Sequence, residues 1–185
     1  MGYAGGASPS PSYHSLENHS ESIEIVYDPA VISYRELLDV FWSEHSSTSP
    51  PYSTQYASNI FYHDEEQKAL AEASKERLEK ETGRTVYTLV RPAGPFHQAE
   101  DYHQKYYLGS KPKVAKLLKE LYPDFQEYVA STAAARLNGY AGGNIGPAEL
   151  VAEMEKLGLG YETIAAIIDA AGESVAAYCP APAGD

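Results

Sequence analysis

The spacing of the apolar residues changes once along this 185-residue chain, near residue 108. Before that point, short segments with alternating apolar residues are separated by segments with helical spacing. After it, apolar residues recur only every three or four positions, which is typical of amphipathic helices. A domain of mixed strands and helices is therefore predicted for residues 1–108. An all-helical extension is predicted for 109–178, and a disordered Pro- and Ala-rich tail for 179–185.

Turn and capping signals predict where the elements of this mixed domain lie. Ser33 and Glu36 have the spacing of a capping box, and Asp64 begins a second helix that Gly83 ends. Apolar residues on the first of these helices include Trp42, for which core packing is predicted. Strands are predicted over 22–27, 56–62 and 85–90, and a further helix over 99–108. In the extension, helical spacing predicts helices near 114–121 and over 124–137, 147–157 and 162–171.

The net charge of −12 restricts the partners that this chain can have. An acidic surface is repelled by nucleic acids and by anionic membranes, so neither is a predicted partner. No run approaches the roughly 18 apolar residues that a membrane span needs. The one cysteine, Cys179, excludes a disulfide within the chain, and residues 1–20 show no secretory signal. A cytoplasmic location is therefore expected.

Eight short motifs follow one another in the first 108 residues. They are Gly2–Gly6, Pro11–Tyr13, His19–Glu21, Val26–Pro29, Ile32–Tyr34, Phe41–Trp42, Thr54–Tyr56 and Ala99–Gln104. In this order, they resemble the type A peptide methionine sulfoxide reductases. The resemblance implies an α+β fold, namely a ferredoxin-like α/β sandwich. It also implies an oxidoreductase that reduces methionine S-sulfoxide, in oxidised proteins or free, without a cofactor. Thioredoxin or another dithiol would be the reductant.

The resemblance also implies roles for three polar side chains. The sulfur of a sulfoxide is a poor electrophile until its oxygen is protonated or hydrogen-bonded, after which a thiolate can attack it. By resemblance, Glu21 is the acid, and Tyr13 and Tyr56 are the hydroxyl donors to this oxygen. The structural alternatives are an exposed carboxylate for Glu21, a turn-packing ring for Tyr13 and a strand-end ring for Tyr56.

The sequence departs from the family pattern at the sulfur-attacking group. The Gly-Cys-Phe-Trp segment that carries the family's nucleophile does not occur, and Cys179 is a lone thiol near the end of the chain. The Gln-Gly-Asn-Asp run that usually precedes Thr54 in the family, and whose Asp supports the site, is replaced by a shorter segment without an acid. The fold is accordingly expected to lack its first strand–helix unit, and the chain is expected to be inactive as it stands. Met1 would then be an internal methionine of a longer protein, or the chain a divergent paralogue.

Other classes of function stay open at this point. A non-catalytic module could bind methionine sulfoxide, or an assembly partner could use the tyrosine-rich surface, since the chain has 16 tyrosines and only four phenylalanines. Metal ligation by His97, Glu100 and His103 is disfavoured, because a site needs three or four converging ligands. No metal site is therefore predicted.

Overall fold

A computed structural model of the chain describes residues 1–157 and 159–172. Its contacts divide the chain into two compact units, the first formed by Met1–Asp101 and the second beginning at Tyr102. The division falls a few residues before the predicted boundary at 108. Cys179 and the tail predicted over 179–185 lie outside the described residues.

The first unit contains strands and helices, so the predicted α+β class is confirmed. Its elements are β1 (Gly2–Ala4), β2 (Ser20–Ser22), α1 (Tyr34–Ser43), β3 (Asn59–Tyr62), α2 (Glu65–Thr82), β4 (Leu89–Pro92) and β5 (His97–Gln98). One sheet is antiparallel with the order β2-β1-β5, and it places Tyr3 opposite both Glu21 and His97. The other is a parallel pair of β3 and β4, in which Ile60 lies opposite Val90.

Both helices of the first unit begin at the predicted capping residues. The Ser33 hydroxyl accepts from the Glu36 amide, and the Glu36 carboxylate accepts from the Ser33 amide, which completes the capping box. Asp64 caps α2, and Gly83 ends it with a φ of 64°. The core of this unit consists of Leu38, Ile60 and Ala71 with Tyr34, Phe41, Trp42, Leu70 and Val90 packed against them. The predicted core role of Trp42 is therefore confirmed.

The first predicted strand, over 22–27, is mostly wrong. Only Ser20–Ser22 forms a strand, and its last residue, Ser22, lies opposite Gly2 of β1. Beyond Ser22, no described strand lies beside the segment. The alternating residues Ile23 and Ile25 are consequently exposed, at 70% and 52%.

The other two predicted strands exist with different limits. The strand predicted over 56–62 begins only at Asn59, and the strand predicted over 85–90 is displaced to Leu89–Pro92. Val86 is buried without belonging to a strand. Pro92 ends β4, where its missing amide hydrogen removes no hydrogen bond from the ladder.

The helix predicted over 99–108 is also wrong. Lys105 has a left-handed backbone with a φ of 50°, which an α-helix does not contain. Two short 3₁₀ helices, Asp101–His103 and Tyr106–Ser110, form instead. The helix predicted over 124–137 is interrupted at Ser131, whose extended backbone and side chain cap the helix that follows.

The described part of the second unit is helical. Its α-helices are α3 (Pro112–Leu121), α4 (Phe125–Ala130), α5 (Thr132–Ala141), α6 (Pro147–Lys156) and α7 (Tyr161–Ala171). They surround a core whose most buried large side chains are Leu108, Val114, Leu118, Leu137, Leu150, Met154, Ile164, Ile167 and Ile168. None of the helices in the described part of the chain is long and apolar enough to cross a membrane.

Candidate active site

Two of the sequence motifs meet at β2. The Glu21 amide donates to the Gln55 carbonyl at 3.0 Å, and the Gln55 side-chain amide donates to the Glu21 carboxylate at 2.7 Å. The Ser20 hydroxyl donates to the Thr54 carbonyl at 2.7 Å. These bonds hold residues 54–56 against the strand and place Tyr56 next to Glu21.

The predicted site residues Tyr13, Glu21 and Tyr56 are brought together. Tyr56 is hydrogen-bonded to Tyr13, and this bond is the largest cause that raises the pKa of Tyr56 above its ordinary value of 10.0. The nearby charges of Tyr13 and Glu21 and slight desolvation act in the same direction. The rings of Tyr13 and Tyr56 are 36% and 56% exposed, so the hydroxyl pair can be reached from solvent.

Glu100 holds the loop that carries Tyr13. One oxygen of its carboxylate accepts from the Tyr13 backbone amide at 3.0 Å, and the other accepts from the Tyr3 hydroxyl at 2.6 Å. Tyr3 lies on β1 and is only 1% exposed. Through Glu100, the backbone of the loop is therefore attached to β1 at Tyr13.

His19 has a structural position rather than a reactive one. Its ring is buried, and Nδ1 lies 2.7 Å from the Leu16 carbonyl. The ring also makes an edge-to-face contact with His97, with centroids 5.4 Å apart. A side chain at Gly6 would collide with the ring and backbone of His19, so a glycine is required there. This packing fixes the entry into β2 and hence the position of Glu21.

No metal cluster is found among residues 1–157 and 159–172. No three His, Cys, Asp or Glu side chains there are placed to hold a metal ion. The carboxylate of Glu100, considered above as a ligand with His97 and His103, is bonded to Tyr3 and Tyr13.

The supporting residues Gln55, Glu100 and Asn59 were missed by sequence reasoning. The Asn59 side-chain amide donates to the Ser20 hydroxyl at 3.0 Å, which ties β3 to β2. Gln55 and Glu100 lie inside motifs, which is a signal that they matter. Their partners could not be read from the sequence, because 34 residues separate Gln55 from Glu21 and 87 separate Glu100 from Tyr13.

Comparison with known proteins relates this chain to one family. Residues 1–136 match the family model described as peptide methionine sulfoxide reductase. A peptide methionine sulfoxide reductase of Drosophila melanogaster is 44% identical over 161 residues, which are 86% of this chain and 64% of that protein. Peptide methionine sulfoxide reductase A5 of Arabidopsis thaliana is 40% identical, over 76% of this chain and 57% of its own length. The chain thus spans about three fifths of the length of these relatives.

A solved structure agrees with the sequence comparisons. The crystal structure of Mxr1 from Saccharomyces cerevisiae in reduced form is similar with a TM-score of 0.54 and 31% identity. The similarity covers 60% of this chain and 70% of the yeast chain. The match to residues 1–136 includes every motif on which the sequence resemblance depends, and the predicted family is confirmed. The chain belongs to the peptide methionine sulfoxide reductase family, of the MsrA type.

Proposed function

We propose that this chain carries the oxygen-binding half of a site that reduces methionine S-sulfoxide in proteins or as the free amino acid. The hydrogen-bonded hydroxyl pair of Tyr13 and Tyr56 beside Glu21 is the observation that supports it. The family membership of the chain gives this cluster its chemical context.

The three side chains suit the oxygen of a sulfoxide. This oxygen accepts hydrogen bonds, and the Tyr13 and Tyr56 hydroxyls can exchange their mutual bond for bonds to it. Glu21, held by Gln55, would supply the proton as the S–O bond breaks. A single donor to a developing negative oxygen typically contributes about 10²–10³ in rate, so each of the three would be measurable.

The reduction also needs a thiol. A thiolate attacks the sulfur and a second thiol completes a disulfide, so that the sulfoxide becomes a sulfide and its oxygen leaves as water. The 185 residues contain one cysteine, Cys179, which lies outside the described residues. We propose that, in active members of the family, the attacking thiol lies in a segment that has no counterpart in residues 1–172 of this chain. Thioredoxin or another dithiol in the cytoplasm would serve as reductant.

The finer fold assignment belongs to the same proposal. We assign residues 1–108 to a ferredoxin-like sandwich of the MsrA kind without its first strand–helix unit, and 109–178 to a helical extension. The separate sheets of the first unit and the helical core of the second are consistent with this assignment.

A second candidate is a binding module that holds methionine sulfoxide without reducing it. The absence of cysteine from the described residues favours this alternative for the chain by itself. The same side chains, Tyr13, Glu21 and Tyr56, would bind the oxygen in both cases. Only the chemistry at sulfur differs.

Calorimetric titration with a short peptide containing methionine S-sulfoxide tests the shared part of both candidates. We expect Tyr56→Phe and Glu21→Gln each to weaken binding by about three- to tenfold, the effect of one lost hydrogen bond. Tyr52→Phe is the matched control, because Tyr52 is 95% exposed. The same peptide with unoxidised methionine should bind at least about tenfold more weakly. Equal binding of the two peptides, or no binding of either, would contradict the proposal.

A further inference from the structure

The side chain of Arg91 links the two sheets of the first unit. Arg91 lies on β4, where it is paired with Phe61 of β3 in the parallel ladder. Its Nη2 donates to the backbone carbonyl of Gly5 at 2.8 Å, although 86 residues separate the two in the sequence. Gly5 directly follows β1 of the antiparallel sheet. The parallel pair is therefore bonded to the turn at which β1 ends.

The guanidinium of Arg91 is also in contact with an aromatic ring. Its Cζ lies 5.9 Å from the centroid of the Phe61 ring, which is within the range of a cation–π contact. A hydrogen bond from a charged donor is also stronger than one between neutral groups. The two contacts together fix the guanidinium beside the Gly5 carbonyl.

The backbone of Gly5 fits closely against these two side chains. Gly5 has a φ of 82°, in the left-handed region that favours glycine. A Cβ atom at this position would lie 2.7 Å from the Phe61 ring and 3.1 Å from Nη1 of Arg91. The turn consequently has little room to move while both side chains are in place.

The loop that follows this turn is braced at its ends and at its tip. Gly6 packs directly against the ring and backbone of His19, at the far end of the loop. Inside the loop, Ser12 and Ser15 exchange two backbone hydrogen bonds, at 3.2 and 2.9 Å. We therefore expect a displacement of the turn to be carried along the loop to its tip.

Tyr13 lies at this tip, and its hydroxyl is bonded to that of Tyr56. Glu21 follows on β2, two residues after the histidine against which the turn packs. Arg91 is not among the groups whose charges shift the pKa of Tyr56. An influence of Arg91 on this cluster must therefore act through the position of the backbone.

We propose that Arg91 is a positioning residue for the oxygen-binding cluster. By holding the carbonyl of Gly5, it fixes the start of the loop so that the hydroxyl of Tyr13 meets that of Tyr56. Glu100 holds the same loop at Tyr13, so two charged side chains from distant parts of the sequence attach it at two points. This inference rests on the proposed function, because it concerns the same cluster.

NMR titration of ¹³Cζ-labelled tyrosine tests the proposal on the full chain without any ligand. Arg91→Met keeps an unbranched side chain but removes every donor, so the pKa of Tyr56 should fall toward its ordinary value of 10.0. Arg91→Lys keeps a cationic donor for the Gly5 carbonyl, so the Tyr56 pKa should stay closer to that of the parent chain.

Two control variants separate positioning from loss of charge and from loss of stability. Arg84→Met removes the same charge from an exposed side chain. Ser74→Ala removes the buried hydroxyl that accepts from Trp42 Nε1 at 2.9 Å, which weakens the core of the same unit without a contact to the loop. Neither control should change the pKa of Tyr56.

Calorimetric titration with the oxidised and unoxidised methionine peptides gives the functional readout. Arg91→Met should weaken binding of the sulfoxide peptide about threefold or more, the effect of a misplaced hydrogen-bond donor. Binding of the unoxidised peptide should stay the same, because it has no oxygen for the cluster to bind. The variant should therefore lose discrimination between the two peptides.

Four results would overturn the proposal. These are a Tyr56 pKa in Arg91→Met equal to that of the parent, equal Tyr56 pKa values in Arg91→Lys and Arg91→Met, and an equally large change in Ser74→Ala. The fourth is full discrimination between the peptides by Arg91→Met. A parent chain that does not bind the sulfoxide peptide would instead contradict the proposed function, and the NMR titration would still decide whether Arg91 positions Tyr13.

Discussion

The backbone amide of Tyr13 donates to the carboxylate of Glu100 at 3.0 Å, although 87 residues separate them in the sequence. The other oxygen of this carboxylate accepts from the buried Tyr3 hydroxyl at 2.6 Å. Glu100 therefore connects the Ser- and Pro-rich loop of Tyr13 to a buried residue of the sheet. It acts as a positioning residue, because it orients Tyr13 without belonging to the hydroxyl pair.

Glu100→Ala should lower the free energy of unfolding of the first unit by about 1–3 kcal/mol, because Tyr3 and Tyr13 both lose an acceptor. Urea unfolding followed by the fluorescence of Trp42, the one tryptophan of the chain, measures this change. Glu76→Ala is the control: its ion pair with Lys80 is exposed, so its effect should stay within about 0.5 kcal/mol. Equal effects of the two substitutions would contradict the linking role of Glu100.

Tyr13→Phe should lower the pKa of Tyr56 toward its ordinary value of 10.0. The hydrogen bond with Tyr13 is the main cause of the raised pKa and favours the neutral form of Tyr56 in the folded chain. Because the folded-state pKa lies above the unfolded one, the associated stability is present below pH 10 and is lost as the pH rises through the folded value.

NMR of ¹³Cζ-labelled tyrosine over a series of pH values measures this change, with Tyr56→Phe to assign the resonance. Tyr52→Phe, an exposed substitution, should leave the Tyr56 titration as it is. A Tyr56 pKa that is the same with and without the Tyr13 hydroxyl would show that the two hydroxyls do not share a hydrogen bond in solution.

Leu118→Ala should lower the stability of the helical unit by about 2–5 kcal/mol, because Leu118 is fully buried in its core. Leu121 lies on the same helix but is 42% exposed, so Leu121→Ala should cost less than about 1 kcal/mol. Urea unfolding followed by far-UV circular dichroism compares the two variants. Similar losses would mean that α3 does not pack through Leu118.

The chain as printed should show no dithiothreitol-dependent reduction of methionine S-sulfoxide. Its one cysteine, Cys179, is in a Pro- and Ala-rich sequence without a basic neighbour that would lower its thiol pKa. Chromatographic measurement of methionine formation, with the Cys179→Ser variant beside the parent, checks this expectation. Turnover that depends on Cys179 would identify it as the nucleophile, and turnover that survives Cys179→Ser would place the chemistry elsewhere; either would contradict the prediction.

The predicted elements that proved correct depend on local interactions. Ser33 and Glu36 satisfy each other's amides within one helical turn, and Asp64 and Gly83 likewise begin and end α2 by contacts inside the same helix. The helix predicted over 147–157 also agrees with α6 to within one residue. The residues that begin or end a helix interact with backbone groups only a few positions away. The sequence therefore predicts these helix ends without knowledge of the fold.

The errors have a different origin. The 22–27 segment has the alternation of a strand, but a strand needs a partner, and the described chain provides one only as far as Ser22. Lys105 carries no breaker signal, yet it takes a left-handed conformation that ends a predicted helix. At 22–27 the outcome depends on which backbone lies alongside, and a single sequence does not encode this locally.

The sequence by itself determined the family, the α+β class, the caps of the first two helices and the identity of Tyr13, Glu21 and Tyr56 as candidates. These depend on residue types and short spacings. Only the tertiary structure decided that the Tyr13 and Tyr56 hydroxyls meet, that Glu100 holds the Tyr13 loop, and that Gln55 holds the Glu21 carboxylate. The physical reason is that hydrogen bonds and packing between distant segments depend on how the backbone brings them together.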